Sequence, residues 1–316
     1  MRAAQITRFG APDALRVAEV DRPEPGPGEV LVRVEATSVN GHDVAVRTGE
    51  LKLMSGRRFP IGVGLDFAGV VEATGAGVRG HRAGDRVWGT VHPRRRHTTA
   101  AAAEYVVVRQ DRIGTAPAVL TSVEAASLAV TGTTALLALR DGVHVVAGER
   151  VMVRGASGGV GTAAVQLARA LGAHVTALAR AEHAEALEDL GAAEVLDYRS
   201  TSPAQLRPFD VVVDTVGQDL LAYRSLLARG GRMVTVGLSP QAVAAIARST
   251  VHGSRRIRAF SANPERPVLD AVAEHVSAGA LRPVVHGVHP LAEVGAAQQA
   301  FERGGVLGKH VITVAG

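Results

Sequence analysis

The 316-residue sequence contains no cysteine. That absence excludes disulfides, thiolate nucleophiles and every zinc or iron–sulfur centre held by cysteine. Aromatic residues are only 3%, and the arginines behind the net charge of +5 are scattered among acids. This is the pattern of a solvated basic surface, so no nucleic-acid partner is expected. The one dense run, Arg94-Arg95-Arg96-His97, follows Pro93 and precedes two threonines, and it reads as an exposed loop. No apolar run approaches the roughly 20 residues needed to span a bilayer, and the start Met1-Arg2-Ala3-Ala4-Gln5-Ile6 lacks the apolar stretch of a secretory signal. The expectation is a cytoplasmic protein with no membrane partner.

What is present is core-forming material. With 47% hydrophobic residues, the chain can bury a sizeable interior, and its length suggests roughly two domains. After the breaker string Pro23-Glu24-Pro25-Gly26-Pro27-Gly28, the alternation from Glu29 to Ala36 predicts a half-buried strand. Short β-prone segments follow at Gly69–Ala73, Asp85–Gly89 and Glu104–Val108, separated by Gly and Pro. They predict a mostly antiparallel β domain over residues 1–121.

From about Ser122 the pattern changes to apolar runs alternating with Ala- and Leu-rich stretches. Strands are predicted at Arg150–Arg154, His174–Leu178, Glu194–Asp197, Asp210–Asp214, Arg232–Val236 and Arg256–Phe260. Continuous apolar strands are buried on both faces, so residues 122–262 predict an α/β fold, a doubly wound six-stranded parallel sheet. Residues 263–316 are expected to return to the first domain, ending in a strand at His310–Val314.

The strongest local signal is Val151-Met152-Val153-Arg154-Gly155-Ala156-Ser157-Gly158-Gly159-Val160-Gly161, a buried strand entering glycines and then a helix from Thr162 to Leu171. Small residues there admit a pyrophosphate to the backbone, and a helix N-terminus offers it free N–H groups. Ala156 stands where the usual motif has its first glycine. At the end of the next strand, an NAD site would place an acid for the ribose hydroxyl. The sequence has Ala179-Arg180 instead, and Arg180 suits the 2′-phosphate of NADPH. Glu182 nearby keeps NADH open, and a solvated helix-start arginine is the plainer alternative.

These residues resemble the medium-chain dehydrogenase/reductase superfamily, and within it the zinc-free quinone oxidoreductase branch related to zeta-crystallin. The first domain contributes Ser38-Val39-Asn40-Gly41-His42-Asp43 with Arg47 and Gly49, Gly64-Leu65-Asp66-Phe67-Ala68-Gly69, and Gly84-Asp85-Arg86-Val87. The second contributes the glycine loop, Gly191–Tyr198, Phe209–Gly217 and Gly230–Val234. The resemblance implies a GroES-like β domain before a Rossmann domain. Where zinc-dependent relatives carry three ligands, this sequence has Asn40, Leu65 and Val130, so no metal is expected; His42, His92 and His97 are the nearest substitutes.

Without a Lewis acid, electron-poor substrates are favoured, and the expected reaction is hydride transfer from NADPH to a quinone or α,β-unsaturated carbonyl. An enoyl reductase for thioester or polyketide intermediates is one alternative, and an NADPH-binding sensor without turnover is another. For catalysis the resemblance points to four residues. Asn40 is either a donor to the developing oxyanion or a polar turn residue. Asp43 and Arg47, four apart, are read as an ion pair that shapes the pocket, relays a proton or is merely structural. His42 delivers the proton or lies exposed. For the coenzyme it points to Thr134, Gly155 to Gly161, Ala179, Arg180, Tyr198, Val216, Gly217, Gly237, Leu238 and Phe260. Lys309 either reaches the cleft or is a solvated strand lysine. The open edge near Arg256–Phe260 predicts a homodimer.

Overall fold

Apolar segments bounded by glycine and proline set the strands, and the computed structural model describes them over residues 1–91, 99–237, 240–251, 256–259, 262 and 264–314. The chain begins with β1 (Arg2–Ile6), β2 (Leu15–Glu19), β3 (Glu29–Ser38), α1 (Gly41–Thr48), β4 (Ile61–Gly62), β5 (Asp66–Thr74), β6 (Arg86–Thr90), β7 (Tyr105–Arg109) and β8 (Ile113–Thr115). Helices α2 (Ser122–Ala129) and α3 (Thr131–Leu137) follow. Next come β9 (Arg150–Arg154), α4 (Gly159–Ala170), β10 (His174–Ala179), β11 (Glu194–Asp197), β12 (Phe209–Asp214), α5 (Leu220–Arg224), β13 (Leu227–Thr235) and β14 (Ile257–Ala259). The last part holds β15 (Val285–Pro290), α6 (Val294–Arg303) and β16 (Lys309–Thr313). The arginine run at 94–96, His92, His97, Leu238 and Phe260 lie outside the described residues.

Two units result. The first takes Met1–Val130, Asn263–Ser277 and Pro283–Gly316, and the second takes Thr131–Ala262 with Ala278–Arg282. The first unit thus runs past residue 121 through α2, which is capped by Thr121 and Glu124 and packs on β3 and β5. Its main sheet runs β15-β16-β3-β5-β6-β8, with β7 also on β3, and all pairs but the parallel β15–β16 are antiparallel. Val30, Val32, Val34, Phe67 and Val87 fill the core beneath it.

The second unit is a six-stranded parallel sheet ordered β11-β10-β9-β12-β13-β14. Val151, Met152 and Val153 in its centre are fully buried, as strands covered on both faces require. The order reverses between β9 and β12, the place where such sheets leave a crevice beyond their carboxyl ends. The helical residues Ser122–Gly142 make a 21-residue stretch long and apolar enough to cross a membrane, which corrects the expectation that none exists. Its threonines, serines and glycines hide it from a count of consecutive apolar residues, and 72% of its apolar window is buried inside the protein, as in a core helix.

Arg47 fixes α1 in the first unit. The expected ion pair with Asp43 is replaced by longer-range partners: Arg47, 1% exposed, donates to Gln298 Oε1 (2.7 Å), to Glu302 Oε1 (2.6 Å) and to the Gly10 carbonyl. A local pair on one helix face contributes only ~0.2–0.5 kcal/mol, less than a buried guanidinium gains from three acceptors. Arg47→Met should therefore lower unfolding free energy by about 2–4 kcal/mol, since it removes three hydrogen bonds and strands the buried Gln298 oxygen. Urea unfolding of the variant checks this, and an unchanged midpoint would contradict it.

Candidate functional site

In the second unit, β9 ends at Arg154 and the chain turns at Gly155, whose φ of 72° favours glycine. Thr215 closes over this turn, donating its hydroxyl to the Arg154 carbonyl at 2.9 Å. Helix α4 begins at Gly159, three residues earlier than the sequence suggests, with Gly158 in the extended cap position. Gly161 lies so close to the turn that an added Cβ would overlap the Gly155 carbonyl oxygen and approach Ala156 Cα at 2.7 Å. The first N–H groups of the helix, at Gly159, Val160 and Gly161, have no partner one turn back and are donors that could hold an anion. Ala156 is fully buried and Ser157 partly so.

At the neighbouring strand end, Ala179 closes β10 and its carbonyl accepts the Tyr198 N–H at 3.1 Å. This places Tyr198 beside Arg180, whose Nε donates to the phenol oxygen at 3.3 Å. The guanidinium holds the Tyr198 phenol below its usual pKa. Arg180 also meets Glu182 at 3.4 Å. Arg180 and Tyr198, 18 residues apart, are brought together as a polar pair. Beyond β12 and β13, Gly217 (φ 77°) packs on Gly237, with an added Cβ 2.8 Å from the Gly237 carbonyl, and Val216 beside them is 42% exposed. Thr134 lies on α3, which packs against α4.

The first unit holds a second cluster around the fully buried Asp66. Its carboxylate accepts Ser38 N (2.7 Å), Ser38 Oγ (2.6 Å) and Asn40 Nδ2 (3.0 Å). The same Nδ2 donates to the Ser38 carbonyl at 3.1 Å, while Asn40 Oδ1 accepts from Lys309 Nζ at 2.8 Å. Both amide protons of Asn40 are thus engaged within the protein, so the expected role as a free oxyanion donor gives way to a bridge between Lys309 and Asp66. Lys309 is 5% exposed and also donates to the Val39 carbonyl; it is neither solvated nor loose. Burial lowers its pKa, against the pull of Asp66 and Asp43. Asp43 accepts the backbone N–H of Asn40 (2.9 Å) and of Gly64 (3.1 Å). Burial raises the Asp43 pKa, opposed by nearby His42. His42 Nδ1 is buried without a hydrogen-bond partner.

Asp66, Ser38, Arg154 and Asp214 stand in the motifs read from the sequence but were not among its candidate site residues. The signal for three of them was a charged residue at the end of an apolar strand, where burial demands a partner.

Comparisons with known proteins agree with this geometry. Residues 26–118 match the family model described as alcohol dehydrogenase GroES-like domain, and residues 190–312 match that described as zinc-binding dehydrogenase. The chain is 33% identical to the human mitochondrial NAD(P)H oxidoreductase RTN4IP1 over 91% of this chain and 82% of that protein. It is 38% identical to a mycocerosic acid synthase-like polyketide synthase of Mycobacterium tuberculosis over 74% of this chain and 11% of that much longer protein. The solved structure of the quinone oxidoreductase from Coxiella burnetii superposes with a TM-score of 0.90 at 30% identity, covering 100% of this chain and 99% of that one.

The second family description implies zinc, and the residues present do not fit it. Asn40, Leu65 and Val130 offer no ligand set, and the Asn40 oxygen already faces the Lys309 ammonium. Among the described residues, no three His, Asp or Glu side chains converge to hold a metal.

Next to Lys309, His310 is packed with two other histidines. Its Nδ1 lies 3.1 Å from His289 Nε2, and its ring meets His286 edge-on at a centroid distance of 5.1 Å. Its Nε2 is buried without a partner, which favours the neutral tautomer with the proton on Nδ1. Burial first, then repulsion that a charge on His310 would meet from His286, His289 and Lys309, pushes its pKa down from 6.5 to about 4. A depressed pKa means that the native state favours the neutral form. Its stabilisation is complete above pH 6.5 and is lost as pH falls through about 4. His310→Gln should flatten the fall of the urea midpoint across that window, and parallel slopes for the two proteins would refute this assignment.

Proposed function

Since the chain belongs to the quinone oxidoreductase branch of the medium-chain dehydrogenase/reductase superfamily, we propose that it is an oxidoreductase that uses NADPH to reduce a quinone or an α,β-unsaturated carbonyl without zinc. The observation that carries this reading is the pairing of a glycine-lined turn at the switch point with Arg180 and Tyr198 at the next strand end. Gly155 to Gly161 and the first turn of α4 would hold the pyrophosphate. Arg180 and the Tyr198 hydroxyl would take the 2′-phosphate, displacing Glu182 as counter-ion. The Val216–Gly217 turn and Gly237 would wall the nicotinamide half. When bound, NADPH supplies the hydride.

The chain's part in the chemistry is to position and to stabilise charge. An electron-poor substrate needs no Lewis acid, because charge spreads onto an oxygen that donors and a positive field can stabilise. Within the first unit, Asp66 keeps Asn40 turned so that its oxygen faces the Lys309 ammonium. The likeness to a polyketide synthase at 38% identity favours a second reading, reduction of an enoyl thioester at the same site. The edge strand β14, with Arg258 and Ala259 exposed, is where two copies would join their sheets into a homodimer.

Steady-state kinetics over a panel of quinones, enones and enoyl thioesters decides between the readings, and coenzyme binding without turnover would leave only a sensor. Arg180→Ala should reduce kcat/KM for NADPH about 10- to 100-fold and change that for NADH less than about 3-fold. Equal losses with both coenzymes, or a wild type that prefers NADH, would defeat the assignment of Arg180.

A further inference from the structure

The switch point of the second unit is floored by an ion pair that the coenzyme reading does not use. Arg154 and Asp214 are the last residues of β9 and β12 and are register partners across the strand pair. Asp214 is fully buried, and its Oδ2 accepts Arg154 Nη1 at 2.8 Å. Its Oδ1 accepts three more donors: Val216 N (3.1 Å), Gly217 N (2.6 Å) and Thr235 Oγ1 (3.1 Å). One carboxylate therefore fixes both the end of β12 and the turn that leaves it.

Arg154 holds the far side of the same turn. Its guanidinium lies 4.0 Å over the Tyr223 ring, donates to the Gln218 carbonyl and approaches Asp219 at 4.0 Å. Asp219 is one of two described non-glycine residues with positive φ, at 50°, a conformation that costs a side-chain-bearing residue energy unless its surroundings enforce it. The turn from Thr215 to Asp219 is thus gripped at Val216, Gly217, Gln218 and Asp219 by a single buried pair. An arginine suits this task better than a lysine, because its planar fork serves the carboxylate and the carbonyl while its face stacks on the tyrosine.

We propose that Arg154 is a positioning residue for coenzyme binding, clamping the strained Thr215–Asp219 turn so that Val216 and Gly217 present a preformed wall to the nicotinamide half. The inference rests on the coenzyme reading given above. A preformed wall lowers the ordering cost of binding, and loosening it weakens affinity more than it slows the chemical step.

The test uses the full chain carrying Arg154→Lys, Arg154→Met, Asp219→Gly and Arg154→Lys with Asp219→Gly. Arg154→Lys keeps the positive charge beside buried Asp214, so it serves if Arg154→Met does not fold. Expected for Arg154→Lys is a rise of about 10-fold in both the NADPH Kd from fluorescence titration and the KM, with kcat within about 2-fold of wild type. Adding Asp219→Gly removes the side chain that makes the left-handed turn costly and should restore at least about 3-fold of the lost affinity. A structural role alone would lower the unfolding midpoint without that split or that rescue. Unchanged Kd in Arg154→Lys, or a fall confined to kcat, overturns the clamp while leaving the coenzyme reading intact. A wild type that binds neither NADPH nor NADH overturns both.

Discussion

The close approach of two backbones at the start of α4 is the constraint on which the second unit depends. Gly161 must lie against the Gly155 carbonyl for the helix to leave the central strand at its observed angle, and no side chain fits between them. That contact places the helix end beside the crevice where the strand order reverses. From this follow the free N–H groups of the helix, while sheet pairing of β10 with β11 and the Tyr198 N–H bond to the Ala179 carbonyl bring Arg180 to Tyr198. The site is a by-product of how tightly a helix can be docked on a sheet.

The first unit solves a different problem, the burial of ionised groups. Asp66 and Lys309 are both nearly inaccessible to water, and each would be costly alone. A carboxamide between them meets both needs, with its oxygen toward the ammonium and its nitrogen toward the carboxylate. Such a chain of polarised groups fixes the orientation of Asn40 without ambiguity. It also leaves the unit with a buried cation whose hydrogen bonds Val39 and Asn40 already accept.

How far these features could be read in advance depended on their range along the chain. Strands β9 and β11 were legible to the residue, because apolar runs between glycines and polar residues leave little freedom of register. Strand β13 begins at Leu227, earlier than Arg232, because Arg229-Gly230-Gly231 carry no apolar signal and fall in the irregularity between the paired residues Leu227 and Arg232. Strand β15, Val-His-Gly-Val-His-Pro, has no strand-like composition and exists because β16 pairs with it. At the site, the glycines were legible because their function is a local backbone constraint. The side-chain partners of Arg47 and Lys309 were not, since they come from residues more than 250 positions away and only folding brings them together.

The second unit is also not a contiguous stretch of sequence. After leaving it at Ala262, the chain comes back for Ala278–Arg282, where the Arg282 N–H donates to Gln166 Oε1 at 2.9 Å and the Arg282 carbonyl accepts Gln166 Nε2 at 3.1 Å. Gln166 is buried on α4, so a fragment cut at residues 131–262 would leave its amide facing an empty berth in the interior. Recombination that trades coenzyme modules at such an apparent boundary would therefore carry away an incomplete part, and a transplant that keeps its interior satisfied must also take a short ribbon from far downstream.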